Sequence, residues 1–133
     1  MTIRAIGVAI MAFALLGGAY QAHAQSQAKV ARSEKLPNVP GKSVTAVVVT
    51  FPPGTKSPPH HHAGSVLVYV LSGEVRSENS ATGPARVYKA GETFFEPAGS
   101  AHLVSENVSA TEPATILAVF VADDGATLTT YDH

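Results

Sequence analysis

Three adjacent histidines are the feature of this 133-residue chain that most directly suggests chemistry. His60, His61 and His62 precede an apolar run at residues 66–71, and His102 follows later in the chain. Because side chains alternate between the two faces of a strand, His60 and His62 would point to one side and His61 to the other. Two imidazoles on one face can converge on a metal ion, and a third from a neighbouring strand would complete the set. The pattern therefore predicts a metal site formed by His60, His62 and His102.

A solvated turn is the alternative interpretation of the histidine run, because Pro58 and Pro59 come directly before it. The spacing around the run favours the metal site. Five residues separate Gly54 from His60, and ten separate His62 from Gly73. Apart from one position, this arrangement resembles the first of the two sequence motifs of the cupin superfamily.

A second motif surrounds His102. Five residues separate Gly91 from Pro97, and Gly99 and His102 complete the order Pro-x-Gly-x-x-His. This arrangement resembles the second cupin motif, although Asn107 lies one residue beyond the asparagine that the pattern usually carries. With both motifs in the expected order, the chain resembles the small single-domain cupins.

The resemblance covers about residues 43–121 and implies an all-β fold, a double-sheet jelly-roll β-barrel. It also implies one divalent transition metal (Zn, Fe, Ni, Cu or Mn) and a small-molecule substrate or ligand. Cupins of this size include dioxygenases and isomerases, so we expect a metal-dependent enzyme of that kind. A non-catalytic cupin that binds a metal or a small ligand is the alternative.

One position departs from the cupin pattern, which places a glutamate ligand three or four residues after the second histidine. With three or four residues between it and His62, that position falls at Val66 or Leu67 in this chain. Val66 has the same strand parity as His62, so we expect it to face the interior where the carboxylate would otherwise be.

Glu96, directly before Pro97, is the candidate catalytic residue. Its carboxylate could replace the missing ligand, or it could act as a general base whose pKa is raised by an apolar cavity. The alternative is an exposed residue at a strand end, paired with Lys89 or Arg76.

Short β-branched segments separated by glycine and proline turns predict an all-β sandwich or barrel. The expected strands are residues 44–51, 66–71, 74–77, 85–89, 92–96, 102–106, 115–121 and 127–131. Three aromatic residues, Tyr69, Phe94 and Phe95, are expected to line the core or a pocket. We expect residues 25–42 to form an N-terminal arm and residues 43–133 the cupin domain. The arm and the tail would cover sheet edges, and their exchange between subunits would form a homodimer.

Residues 1–24 have the composition of a bacterial signal peptide. Arg4 supplies a positive charge, residues 5–19 are apolar, and Ala-His-Ala at residues 22–24 is a small-x-small cleavage site. The apolar stretch is short for a bilayer span, although an uncleaved anchor is the alternative. We therefore expect a periplasmic or secreted protein, without membrane attachment after cleavage, that starts at Gln25.

The composition of the remaining chain points away from nucleic acid. Removal of residues 1–24 takes one arginine and leaves eight basic and ten acidic residues, a net charge of −2 with neutral histidines. No cluster of lysine or arginine is present, so no nucleic-acid partner is expected. The chain contains no cysteine, so its fold must be stabilised without disulfides.

We predict that the exported protein is cleaved after Ala24. Mass spectrometry of protein recovered from the periplasm or the culture medium should show Gln25 at the N-terminus. A chain that retains Met1 and fractionates with membranes would instead support the anchored alternative.

Overall fold

The computed structural model describes residues 25–133, and the regular secondary structure in this range consists of β-strands. The predicted signal peptide, residues 1–24, lies outside this range. The strands are β1 Gln27–Lys35, β2 Lys42–Phe51, β3 His60–His62, β4 Ser65–Ser72, β5 Glu74–Asn79, β6 Gly83–Lys89, β7 Thr93–Glu96, β8 Ala101–Asn107, β9 Ala114–Asp123 and β10 Thr129–Tyr131. The described residues include no helix that is long and apolar enough to span a membrane.

The strands form two five-stranded antiparallel sheets. The first has the order β1-β2-β9-β4-β7, and the second has the order β10-β3-β8-β5-β6. Several strands that are neighbours in sequence, such as β4 and β5, belong to different sheets, as expected when two sheets face each other around one core. The expected all-β, double-sheet jelly roll is confirmed.

The inner face of the first sheet supplies most of the hydrophobic core. Alternate residues of its central strands are buried: Val66, Val68 and Val70 on β4, and Ile116, Ala118 and Phe120 on β9. Removing each of these large aliphatic or aromatic side chains from water contributes about 1.5–3 kcal/mol to folding. This packing fixes the faces of the strands that border the histidines.

The aromatic residues are divided between the two faces of this sheet. Phe94 is buried opposite Val68, as expected for a core residue. Tyr69 and Phe95 are 44% and 49% exposed, so their expected place in the core or a pocket is wrong. Each directly follows an inward residue and must therefore point outward.

The two terminal strands lie at sheet edges. β1, within the expected arm, pairs with β2 at one edge of the first sheet, and β10 pairs with β3 at one edge of the second. Both expected edge strands are therefore present. Each pairs within its own chain, and their exchange between subunits stays a prediction.

Gly64 allows the short connection between β3 and β4 to approach β9 closely. A Cβ atom at this position would lie 2.2 Å from the carbonyl oxygen of Val121 and 2.6 Å from Cβ of Ala122. No side chain fits in that space, because a contact shorter than 3.0 Å requires the backbone to move. The glycine therefore lets the chain pass from the histidine strand of one sheet to the core strand of the other.

Candidate metal centre

The second sheet brings the three predicted ligands together. β3 pairs with β8 in a register that places His60 directly opposite His102. His62 lies two residues along β3 and points to the same side as His60. The centroid of the His60 ring lies 4.9 Å from that of His62 and 4.9 Å from that of His102.

All three imidazoles are buried, with relative exposures of 4–7%. One nitrogen from each ring can be chosen so that the three nitrogens lie within 4.8 Å of one another. This spacing allows one ion to contact all three rings after small adjustments, since zinc–nitrogen bonds are about 2.0–2.1 Å. The donor set of three imidazoles suits a divalent transition metal.

Backbone carbonyls hold two of the rings in a defined orientation. Nδ1 of His60 donates a hydrogen bond to the carbonyl of Pro58 at 2.8 Å, and Nδ1 of His62 donates one to the carbonyl of Leu128 at 2.9 Å. A proton on Nδ1 leaves the lone pair on Nε2 free to bind a cation, which is the arrangement found around metal-binding histidines. The carbonyls therefore favour the ligating form of both rings.

Burial also favours neutral rings at these two positions. It lowers the pKa of His60 and of His62, and for His62 this effect exceeds the opposing attraction of the Glu96 carboxylate. Because only an unprotonated nitrogen can bind a metal, the same burial that disfavours the charged ring prepares it as a ligand.

His102 carries the observation that best tests whether a cation fits. Its Nε2 is hydrogen-bonded to the hydroxyl of Ser77 at 2.8 Å. Its Nδ1 lies 2.8 Å from Oε1 of Glu96, but the two groups are poorly aligned, and this buried nitrogen has no well-formed hydrogen bond within the described residues. A buried polar atom without a hydrogen-bond partner destabilises the folded state. Nδ1 of His102 is therefore an atom that an additional bound group would satisfy. A bound cation fits that requirement.

Glu96 lies beside the histidines, and the alternative of an exposed strand-end residue is wrong. Its side chain is 3% exposed and contacts neither Lys89 nor Arg76. Its Oε2 lies 3.8 Å from Nε2 of His62, in addition to the contact with His102. The carboxylate is therefore available both as a ligand and as an acid or base.

The expected rise in the pKa of Glu96 is also wrong. Burial raises the pKa of the carboxyl group, but the contact with His102 and the charges of the neighbouring histidines lower it further, to below its ordinary value. The sequence indicated the burial of Glu96 but not its contact with His102 and the neighbouring imidazoles, whose effect on the pKa outweighs that of burial.

Val66 occupies the inward position that was expected for it, with no exposed surface. It is also the direct cross-strand partner of Glu96 in the pairing of β4 with β7. Glu96 on β7 therefore places a carboxylate directly opposite the position at which cupins usually carry one.

His61 points away from the three rings. Its Nδ1 lies 2.8 Å from a carboxylate oxygen of Asp132, and its side chain is 42% exposed. The strand parity that separated His61 from its neighbours is therefore correct.

The second motif acts through its backbone. The amide of Ser100 donates to the carbonyl of Pro97 at 3.1 Å, and Gly99 has a φ of +73°, a conformation that favours glycine. This tight turn leads from Glu96 into β8 and His102. Asn107 donates three hydrogen bonds to backbone carbonyls around residues 51–52 and 112, so its role is to join loops.

Four residues that contact the histidines or Glu96 were not predicted from the sequence. Ser77 contacts His102, the amide of Asn79 lies 3.5 Å from Glu96, and Leu128 and Thr129 contact Nδ1 of His62. The first two share the inward parity of Val75 on β5, and that parity is a signal the sequence does contain. The contacts of β10 depend on a pairing that no local pattern reveals.

The centre opens into a cavity of about 290 Å³ between the two sheets. Its lining includes all three histidines together with Val47, Val49, Phe51, Ile116, Phe120 and Leu128. The ring of Phe120 packs against that of His62, with centroids 5.1 Å apart. A ligand in this cavity would meet the histidine nitrogens in apolar surroundings.

Comparison with known proteins agrees with the fold. The cupin domain family matches residues 47–120, which is more than half of the chain, and the chain belongs to that family. Germin-like protein subfamily 2 member 2 of Arabidopsis thaliana is 33% identical over 94 residues. That match covers 68% of this chain and 42% of the plant protein, so the chain spans less than half of its relative.

Two solved structures extend the comparison. A Klebsiella pneumoniae protein with a double-stranded β-helix domain has a TM-score of 0.63 and 23% identity, covering 82% of this chain and 85% of that one. An oxalate oxidase in complex with the substrate analogue glycolate has a TM-score of 0.56 and 29% identity, covering 66% and 45%. The first supports the fold alone. The second is an oxidoreductase-like relative, and together with the three-histidine group it suggests a metal-binding cupin.

We predict that replacing His60, His62 or His102 with alanine removes most of the bound metal, because each substitution deletes one of three nitrogen donors. The loss should exceed the roughly 10- to 100-fold decrease in affinity that follows removal of a supporting hydrogen bond. Metal titration of each folded variant measures the effect. His61→Ala is the matched control and should keep its metal; an equal loss there would contradict the assignment of faces.

Proposed function

We propose that this chain is an exported, metal-dependent cupin enzyme that acts on a small molecule, of the dioxygenase or isomerase kind. In this proposal His60, His62 and His102 hold one divalent transition metal, and Glu96 serves as the catalytic acid or base. Export is supported by the signal-like composition of residues 1–24.

The observation that carries the proposal is the combination of a buried donor set, a cavity and a buried carboxylate in one place. A metal carrier must load and release its ion, which is easiest near the surface. Here the three rings are almost fully buried and line a largely apolar cavity. Clefts of this kind with a few convergent polar groups are typical of sites that bind and convert small molecules.

The protein's own groups would divide the work as follows. When bound, the metal would supply Lewis acidity or a site for activating dioxygen. The apolar walls would exclude bulk water, which strengthens electrostatic interactions in the cavity. Glu96, held next to His62 and His102, would accept or release a proton at its carboxylate oxygens.

The direct test is elemental analysis of protein isolated from its native compartment, followed by oxygen-consumption and product assays. Catechols, flavonols and diketones are suitable first substrates, since each presents oxygen atoms to a metal. Turnover that depends on the bound metal supports the enzyme. A stoichiometric metal without turnover of any of these compounds would favour the alternative, a non-catalytic binding protein.

We predict that Glu96→Gln retains the metal and lowers turnover by roughly 10²–10⁴-fold, the usual contribution of a positioned proton-transfer group. The amide keeps the shape of the carboxylate but cannot carry the proton. Metal content and turnover are measured together on the same preparation.

Glu112→Gln, at an exposed position outside the cavity lining, is the control and should change neither quantity. A weakened metal affinity in Glu96→Gln would show instead that Glu96 is a fourth ligand. Unchanged turnover would contradict a catalytic role.

We further propose that the chain forms a homodimer through the outer face of the first sheet. The outward positions of its inner strands and of β7 form an apolar surface: Val44, Ala46, Val48, Leu67, Tyr69, Leu71, Phe95, Leu117, Val119 and Val121. Several of these large side chains are 40–50% exposed, including Leu67 at 50% and Phe95 at 49%. Contiguous apolar surface of this kind is typical of an interface, and a two-fold axis would bring the same face of two copies together.

We predict that Leu67→Glu converts the dimer to a monomer in light scattering coupled to size-exclusion chromatography, because two carboxylates would be buried near the two-fold axis. Leu103→Glu, a 43% exposed position on β8 of the other sheet, is the matched control and should stay dimeric. A wild-type chain that is monomeric at micromolar concentration would contradict the proposal.

A further inference from the structure

We infer that the cavity accepts a small, uncharged organic molecule with an apolar body and adjacent oxygen atoms, and that it discriminates against small dicarboxylates. This inference rests on the proposed function, because the oxygens would be directed at the metal held by the three histidines. It adds a substrate class to that function and is carried by the side chains that line the cavity.

The cavity walls are mostly hydrocarbon. The first sheet supplies the apolar wall, which includes Val47, Val49, Phe51, Ile116 and Phe120 from β2 and β9. Apolar walls favour a ligand that leaves water with little loss of hydration. They give no compensation to a charged group that must shed its water to enter.

No lysine or arginine among residues 25–133 lines this cavity. Ala28 and Val30 of β1 do line it, so the intervening Lys29 lies on the opposite face of that strand. Lys56 borders the adjacent surface groove, where its ammonium group is 3.4 Å from the carboxylate of Glu106.

The other candidate cations are also engaged elsewhere. Arg76 contacts Glu106 at 2.8 Å, and Arg86 lies over the ring of Tyr88 and 3.5 Å from Glu92. Carboxylates are typically recognised by arginine or lysine through charge-assisted hydrogen bonds. A dicarboxylate here would have the metal alone as its fixed positive charge, and its second carboxylate would face hydrocarbon.

Uncharged hydrogen-bonding groups are present instead. The cavity lining includes the hydroxyl-bearing residues Ser105, Thr129 and Tyr131. Hydroxyl groups can orient a carbonyl or hydroxyl of a neutral ligand without requiring a charge on it. The volume of about 290 Å³ is at the small end of ligand cavities, which are usually about 300–1,000 Å³, and so favours a small ligand.

Two chelating probes of different charge test this inference. Catechol enters as a neutral molecule with an apolar ring and passes a proton to Glu96 or to solvent when its oxygens bind a metal. Oxalate arrives as a dianion without a ring, and both probes present two adjacent oxygens to the metal. Each is titrated into the full protein loaded with Co²⁺, whose visible absorption changes when a ligand binds. We expect catechol to bind at least about tenfold more tightly than oxalate, because oxalate brings two negative charges into an apolar cavity whose lining holds no lysine or arginine.

A cation placed in the wall should reverse this preference. Val49 is half-buried and lines the cavity, so the ammonium group of Val49→Lys can reach a bound oxalate from a flexible stem. We expect tighter oxalate binding and weaker catechol binding in this variant. Thr50→Lys is the matched control, since this neighbouring residue points to the outer face, lies outside the apolar surface named for the dimer and does not line the cavity. It should leave both affinities unchanged.

Four outcomes separate this inference from the proposed function. Wild-type protein that binds oxalate as tightly as catechol overturns the inference, and so does a Co²⁺-loaded protein that binds neither probe. Protein that binds no metal overturns the proposed function before either probe is added. Tighter binding of catechol without turnover of catechols, flavonols or diketones supports the inference about the cavity and contradicts only the proposal that the protein is an enzyme.

Discussion

The pairing of β3 with β8 is the constraint on which the rest of the site depends. β3 is only three residues long, and its register places His60 directly opposite His102. A slip of one residue would turn His60 and His62 outward and His61 inward, because side chains alternate along a strand. β10 on the other edge of β3 opposes such a slip, and the carbonyl of Leu128, directly before β10, accepts the hydrogen bond from His62.

Burial and metal binding both favour the neutral form of His60 and His62. A buried imidazole is more stable when neutral, and a neutral imidazole is the form that binds a metal. The carbonyls of Pro58 and Leu128 then determine which nitrogen keeps the proton. His102 differs, because its contacts with Ser77 and Glu96 leave one nitrogen without an aligned partner. The protein thus keeps one buried polar atom unsatisfied at the place where a cation would satisfy it.

The same side chains serve stability and selectivity. Ile116 and Phe120 belong to the hydrophobic core and also line the cavity above the histidines. The folded state therefore surrounds the donor set with hydrocarbon as a direct result of packing the two sheets. The replacement of the usual carboxylate by Val66 extends this apolar surface. The buried carboxylate of Glu96 lies on the neighbouring strand β7, opposite Val66, so β4 itself carries no charge at this position.

The sequence by itself determined the family, the two-sheet fold and the parity of His60 and His62, because these depend on spacing and on alternation within single strands. Only the tertiary structure decided the orientation of Glu96, since the turn at residues 97–100 breaks the parity that would link it to His102. The lowered pKa of Glu96 likewise depends on neighbours from other strands, which no local pattern contains. Phe95 was misplaced for a related reason: periodicity gives the alternation of a short strand, whereas the sheet it joins decides which face is buried.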